Sequence, residues 1–259
     1  MDLGISGKRA LVCASSKGLG RGCAFALAEA GVDLILNACG AEALEQTAQE
    51  IRDAHGVSVT TVAADITTDE GRAKVLEATG AVDILVNNAG GPPPGFWSDW
   101  DREDFIKALD ANMLAPIALM KALLPGMIDK GWGRVVNITS ASVRSPIAQL
   151  GLSNSARAGL TGYVAGTSRQ VAKHGVTINN LLPGLHQTDR AVSLAQATAD
   201  REGITLDEAA AARDAANPTG RIGTASEFGA TCAFMCSVHA GFMVGQNVLL
   251  DGGAFNSTV

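Results

Sequence analysis

The chain has 259 residues, with 20 Lys+Arg against 26 Asp+Glu for a net charge of −6, and 47% of its residues are hydrophobic. This is too apolar for intrinsic disorder and suits a single α/β domain of about 250 residues. The acidic balance excludes a basic stripe for a nucleic-acid backbone, and no uninterrupted apolar stretch reaches the ~18 residues that cross a bilayer. The N-terminus carries no basic-then-apolar leader, and the cysteines at 13, 23, 39, 232 and 236 are odd in number without CxxC spacing. A cytoplasmic protein with no nucleic-acid or membrane partner is expected.

Short β-rich runs fall at 9–13, 33–37, 58–63, 82–86, 134–138, 176–182 and 247–250. Helix-length segments rich in Ala, Leu, Glu, Lys and Gln separate them, at 20–30, 41–55, 68–79, 102–130, 155–173 and 226–237. Near-continuous apolar strands are buried on both faces, and strand-helix-strand alternation implies right-handed crossovers in a parallel sheet. The expected fold is α/β: one doubly wound, Rossmann-type parallel sheet of about seven strands with helices on both faces, over residues 1–259. The long strand-free insertion at 185–219 holds helical patterns at 190–201 and 205–215. Following a strand's carboxyl end, it reads as a substrate lid.

Directly after the first strand comes Cys13-Ala14-Ser15-Ser16-Lys17-Gly18-Leu19-Gly20, then a helix. A strand, a glycine turn and a helix N-terminus present backbone N–H groups and a positive dipole end to a pyrophosphate. Here the chain resembles the short-chain dehydrogenase/reductase family, whose turn reads TGxxxGxG. Further matching residues are Asp65-Ile66, Asn87-Asn88-Ala89-Gly90, Asn112, Asn137-Ile138-Thr139-Ser140, Pro183-Gly184 with Thr188, Gly220-Arg221-Ile222-Gly223 and Asp251-Gly252-Gly253. The resemblance spans nearly the whole chain and points to the branch of 3-oxoacyl-acyl-carrier-protein reductases, sugar and secondary-alcohol dehydrogenases. It implies a nicotinamide cofactor and a homotetramer or homodimer. It also implies roles: Ala14, Ser16, Lys17, Gly18, Leu19 and Gly20 at the phosphates, Asp65 and Ile66 at the adenine, Asn88, Ala89 and Gly90 at the ribose, and Pro183, Gly184 and Thr188 at the nicotinamide. Ala14 replaces the turn's first glycine, so its backbone is expected to avoid φ > 0, which alanine resists.

An acid just past the second strand would accept from both ribose hydroxyls of NAD. Asn37-Ala38-Cys39-Gly40 stand there instead, and Lys17 offers a cation to a 2′-phosphate. NADP is therefore preferred, with NAD as the alternative.

The resemblance places catalysis on Asn112, Ser140 and a YxxxK pair about 13 residues after Ser140. At that register the chain has Ser153 and Arg157, followed by an Ala-Gly-Leu that matches the family's KAGL. The single tyrosine, Tyr163, lies ten helical positions beyond Ser153, about 15 Å along the axis, and reads as a packing residue. Carbonyl reduction by hydride leaves an alkoxide, and a positioned acid is worth about 10²- to 10⁴-fold. Arginine does not donate that proton, but its fork can hydrogen-bond a ribose and stabilise an oxyanion.

Three readings follow for a small-molecule substrate. Ser140 and a water held by Ser153 and Arg157 polarise the carbonyl, with Asn112 orienting the relay; or His186 supplies the proton; or hydride transfer is lost and the fold is an NADP-binding scaffold or a lyase or isomerase. The first, a redox enzyme with an atypical active site, is favoured because the cofactor motifs, Asn112 and Ser140 persist. The stiff run Gly91-Pro92-Pro93-Pro94-Gly95-Phe96-Trp97 reads either as a cleft wall, with Phe96, Trp97 or Trp100 available, or as a rigid surface loop. Arg144 could meet a substrate carboxylate or be solvated. Cys232 and Cys236 share a helix face without a histidine or carboxylate to complete a metal set, so they read as core and no metal is expected.

Overall fold

The computed structural model describes residues 1–258. Its single sheet has seven strands, all parallel as the alternation of the sequence implies, in the order β3-β2-β1-β4-β5-β6-β7. These are β1 (Arg9–Val12), β2 (Asp33–Ala38), β3 (Val59–Ala63), β4 (Ile84–Asn87), β5 (Gly133–Ile138), β6 (Val176–Pro183) and β7 (Asn247–Leu250). The helices are α1 (Gly18–Glu29), α2 (Ala41–His55), α3 (Asp69–Thr79), α4 (Arg102–Leu109), α5 (Ala115–Asp129), α6 (Gly151–Val171), α7 (Asp189–Glu202), α8 (Leu206–Ala215) and α9 (Ala225–Cys236).

Period-two alternation along each strand sends neighbouring side chains to opposite faces. Ala10, Val12, Leu34, Leu36, Ile84 and Val86 form one core with Leu27 of α1, Leu44 of α2 and Phe228, Cys232 and Cys236 of α9. Leu11, Ile35, Leu85, Val135 and Ile178 form the other with Val75 of α3, Leu119 and Leu123 of α5 and Leu160 and Val164 of α6, and Tyr163 packs at its edge. Cys232 and Cys236 are thus core residues, their thiol pKa values raised by hydrogen bonds among the thiols (Cys23 with Cys232, Cys232 with Cys236) and by burial. α1 and α9 touch backbone to backbone, since a Cβ on Gly22 would lie 2.2 Å from the Ala225 carbonyl oxygen.

The expected continuous helix at 102–130 is interrupted. Residues Asp110–Leu114 form a π turn between α4 and α5. Asn112 Nδ2 donates to the Ala108 carbonyl oxygen at 3.3 Å, feeding a side-chain donor into the helical ladder where one residue is inserted. The stretch Arg102–Asp129 is long and apolar enough to cross a membrane by composition, but Leu119, Met120, Leu123, Leu124 and Met127 are all buried against the sheet.

Helix starts also shift. α1 begins at Gly18 and α6 at Gly151, each earlier than the apolar pattern suggests, which moves Ser153 into the first turn of α6. The segment at 185–219 holds α7 and α8 as expected, each with a threonine N-cap, Thr188 and Thr205.

Candidate active site

Strand order reverses between β1 and β4, which opens a crevice at the strands' carboxyl ends. A cavity of about 580 Å³ fills it, walled by the turn after β1, the segments after β4, β5 and β6, and the first turns of α6 and α7.

The turn after β1 is pinned on both sides. Cys13 N donates to the Val86 carbonyl oxygen at 3.0 Å, and Ser15 N to that of Asn37 at 3.0 Å. Between these anchors Ala14 adopts φ +47°, where the sequence pointed to negative φ. It is the only non-glycine residue with positive φ among the described residues. The anchors to β4 and β2 hold alanine in the left-handed region at a cost of about 1 kcal/mol. The turn closes on α1 so tightly that a Cβ on Gly20 would sit 2.2 Å from the Ala14 carbonyl oxygen.

Lys17 is the N-cap of α1 and is extended, with no side-chain cap, so the first amides of the helix are left to a ligand. Ala14, Lys17, Gly18 and Leu19 line the cavity. Ser16 lies behind it, its carbonyl accepting from Thr47 Oγ1 at 3.1 Å. Lys17 is not an isolated cation: Nζ stands 3.7 Å from Asp189 at the start of α7, with both side chains largely exposed. Asn37 faces away from the cleft, donating to the Val62 and Ala64 carbonyls, while Cys39 is exposed at the end of β2. Asp65, also exposed, accepts from Thr67 N at 2.9 Å, and Ile66 is buried beside it.

Asn88, Ala89 and Gly90 line the cavity from β4, and Pro183, Gly184 and Thr188 from β6. His186 is also on its wall. Its Nδ1 lies 3.2 Å from the Gly184 carbonyl oxygen and its ring stands edge-on to Phe228 at 5.2 Å. Burial holds its pKa below the ordinary imidazole value. These contacts make the ring a packing and loop-holding element.

On the reaction side, Ser140, Ser153 and Arg157 share the cavity wall. Ser140 Oγ accepts from Ser142 N at 3.1 Å, which leaves its O–H free. Arg157, buried, donates through Nε to Ser153 Oγ at 3.2 Å, through Nη1 to the Ile138 carbonyl oxygen at 2.7 Å and through Nη2 to that of Ala89 at 3.4 Å. Burial, with the nearby Arg190 charge, lowers its pKa to about 10. Asn112 does not line the cavity; it is buried in the π turn, and its Oδ1 has no partner. The π turn packs on α6, where a Cβ on Gly159 would meet Met113 Sδ at 2.5 Å.

The proline-rich run is a surface loop and not a cleft wall beyond Gly91. Trp97 is 88% exposed, Phe96 is also exposed, and Trp100 covers Gly151 and meets Phe105 edge-on. Stiff prolines carry the chain outward, and Gly95 N is tied to the Gln149 carbonyl at 2.9 Å. Arg144 is exposed, outside the cavity. The sequence reading missed Arg190 of α7, which lines the cavity and donates to the carbonyls of Gly91 at 3.2 Å and Pro92 at 3.1 Å. A signal was present: a cation in a helix's first turn opposes the macrodipole, so it calls for a reason.

Residues 13–254 match the protein-family model described as enoyl-(acyl carrier protein) reductase. The chain is 33% identical to the 3-oxoacyl-[acyl-carrier-protein] reductase of Vibrio cholerae, covering 98% of this chain and 99% of that one. It is 28% identical to the NADPH-dependent reductase BacG of Bacillus subtilis, covering 98% and 100%. Among solved structures it superposes on the L-sorbose reductase of Gluconobacter frateurii complexed with NADPH and L-sorbose, with a TM-score of 0.93, 28% identity, and coverage of 99% of this chain and 100% of that one.

Proposed function

The chain belongs to the short-chain dehydrogenase/reductase family, and from that premise we propose that it is an NADP(H)-dependent oxidoreductase interconverting a carbonyl and a secondary alcohol with an atypical proton-delivery site. The carrying observation is the single cavity in which the uncapped start of α1 and the Asn88–Gly90 turn face Ser140, Ser153 and Arg157. The residues fit a dinucleotide. The free amides at Gly18 and Leu19 suit a pyrophosphate, and the close approach at Gly20 leaves backbone, not side chain, to meet it. NADP is preferred to NAD because no carboxylate follows β2 where a 2′-hydroxyl pair would be read, and Lys17 stands at the turn.

The cofactor supplies the hydride. The chain's own groups handle the oxygen. Ser140 donates its free O–H to the carbonyl and polarises it. Ser153 accepts from Arg157 Nε, so its hydroxyl hydrogen is directed outward, toward the alkoxide or a water beside it. Arg157 keeps its charge at neutral pH and stabilises the oxyanion as the proton arrives. Asn112 positions this group indirectly, through the π turn that packs on α6. The 185–219 segment serves as the lid, closing the cavity through α7. The exposed Phe234, Val238 and Phe242 around the end of α9 support a homotetramer or homodimer that covers them.

The test is direct. NADPH fluorescence should change on titration with the protein, and NADPH should be consumed with a carbonyl substrate from a broad panel. Binding without turnover on any carbonyl or alcohol would replace the redox reading with a scaffold or non-redox enzyme; no binding of either dinucleotide would end both.

A further inference from the structure

The charge balance of the cavity places a further demand on Arg157, beside its oxyanion role, and on Arg190, which the hydride chemistry leaves unused. Its two acidic side chains are engaged: Asp189 faces Lys17 at 3.7 Å, and the carboxylate of Asp251 accepts from Gly253 N at 2.9 Å and Phe255 N at 2.8 Å. Arg157 and Arg190 have no carboxylate partner among the described residues; each donates only to neutral oxygens. Arg157 is 7% exposed. A buried cation without a counter-charge is costly, and neutral ribose hydroxyls would not supply one. Burial depresses the pKa of both guanidiniums, and the Arg190 charge contributes to the shift at Arg157, so the two sit within electrostatic reach of each other.

Arg157 holds the Ala89 carbonyl and Arg190 the Gly91 carbonyl two residues on, so both guanidiniums border the same short stretch of chain, and both line the cavity. A carboxylate bound there can take charge-assisted bonds from the guanidiniums. Donors remain for it. A guanidinium has five N–H groups, of which Arg157 uses three and Arg190 two. Arg190 also stands in the first turn of α7, where the helix dipole disfavours a cation and an arriving anion would offset the conflict.

We propose that the substrate is an oxo acid whose carboxylate is held between Arg190 and Arg157 with its carbonyl presented to Ser140. This rests on the oxidoreductase reading but concerns binding, which is measurable without turnover. The NADPH-loaded protein is titrated calorimetrically with pyruvate, 4-methyl-2-oxopentanoate and phenylpyruvate, and with the corresponding neutral amides. At least one acid should bind on the order of tenfold or more tighter than its amide. Arg190→Gln, which can still donate to the Gly91 and Pro92 carbonyls, should abolish that preference, and Arg190→Lys, which keeps the charge, should retain part of it. NADPH affinity, measured by fluorescence on the same samples, separates the two ideas. Its absence removes the oxidoreductase reading, while acid-over-amide binding to the protein alone still tests the arginine pair. Equal binding of acids and amides, no binding of either, or an Arg190→Gln effect confined to NADPH affinity would each overturn the proposal.

Discussion

The two walls of the cleft are built on different principles. The wall after β1 works through backbone: Ala14 can stand where the family has glycine because anchors to β4 and β2, not the side chain, set the turn. The wall formed by β5 and α6 works through side chains, and there Ser153 and Arg157 are joined to each other and to the Ile138 and Ala89 carbonyls. A backbone site tolerates replacement as long as the path of the chain is kept. A side-chain site changes its chemistry with each residue.

The largest expected effect tests the second wall. On the proposed register, replacing Ser153→Tyr and Arg157→Lys together restores a phenol beside a lysine, a proton donor of ordinary strength for an alkoxide. NADPH-dependent reduction of simple ketones, followed by absorbance, should rise by about 10²-fold or more. No gain, with NADPH binding intact, would show that the substrate side has diverged beyond these two positions and would break the side-chain half of the comparison.

The backbone wall predicts an asymmetric pair. Gly20→Ala drives a methyl to within 2.2 Å of the Ala14 carbonyl oxygen, and because that atom belongs to the anchored turn it has little freedom to move. The expected result is a loss of about 1–3 kcal/mol in stability from overpacking and a weakening of NADPH binding of about tenfold or more, read by denaturant melts and fluorescence titration. Ala14→Gly goes the other way. It relieves a left-handed alanine and should stabilise the fold by about 0.5–1 kcal/mol with dinucleotide affinity kept. If Ala14→Gly destabilises, the methyl is making contacts that outweigh the strain.

The same contrast explains what was legible in the sequence. The doubly wound parallel sheet could be read because strands with two buried faces and intervening helices leave few topologies, and the place of the turn after β1 could be read from its spacing, though not the positive φ of Ala14, which its anchors to neighbouring strands impose. The fine structure of the reaction side was less accessible. Residues 102–130 carry an unbroken helical composition, and the π turn arises from one side-chain donor, that of Asn112, entering the ladder. Arg190 was missed because the Gly91 and Pro92 carbonyls that hold it come from a loop 98 residues or more away in the chain. The run with Phe96 and Trp97 left a cleft wall and a surface loop both open, because the contact that ties it outward, Gly95 N to the Gln149 carbonyl, is not encoded in local sequence.

The smallest effect concerns His186, which sits between the two walls. Its ring is buried against Phe228, and its pKa lies below the ordinary imidazole value because burial disfavours the charged form, partly offset by the Gly184 carbonyl and the Glu227 charge. Between the depressed folded pKa and the unfolded value near 6.5, the unfolded chain binds more protons than the folded one. Stability should therefore rise with pH across that window and fall as the solution is acidified through it, since protonation favours the unfolded state. The charged groups facing the ring from neighbouring elements, chiefly Glu227 of α9, are already ionised there and do not invert the sign. A melt series from neutral to mildly acidic pH should show this loss, and His186→Asn should flatten it at the expense of the contact with Phe228. If activity instead falls as the pH rises through the same midpoint while the fold holds, and His186→Asn abolishes turnover but spares NADPH binding, the protonated imidazole is the proton donor and Ser153 with Arg157 would be reduced to holding the ribose.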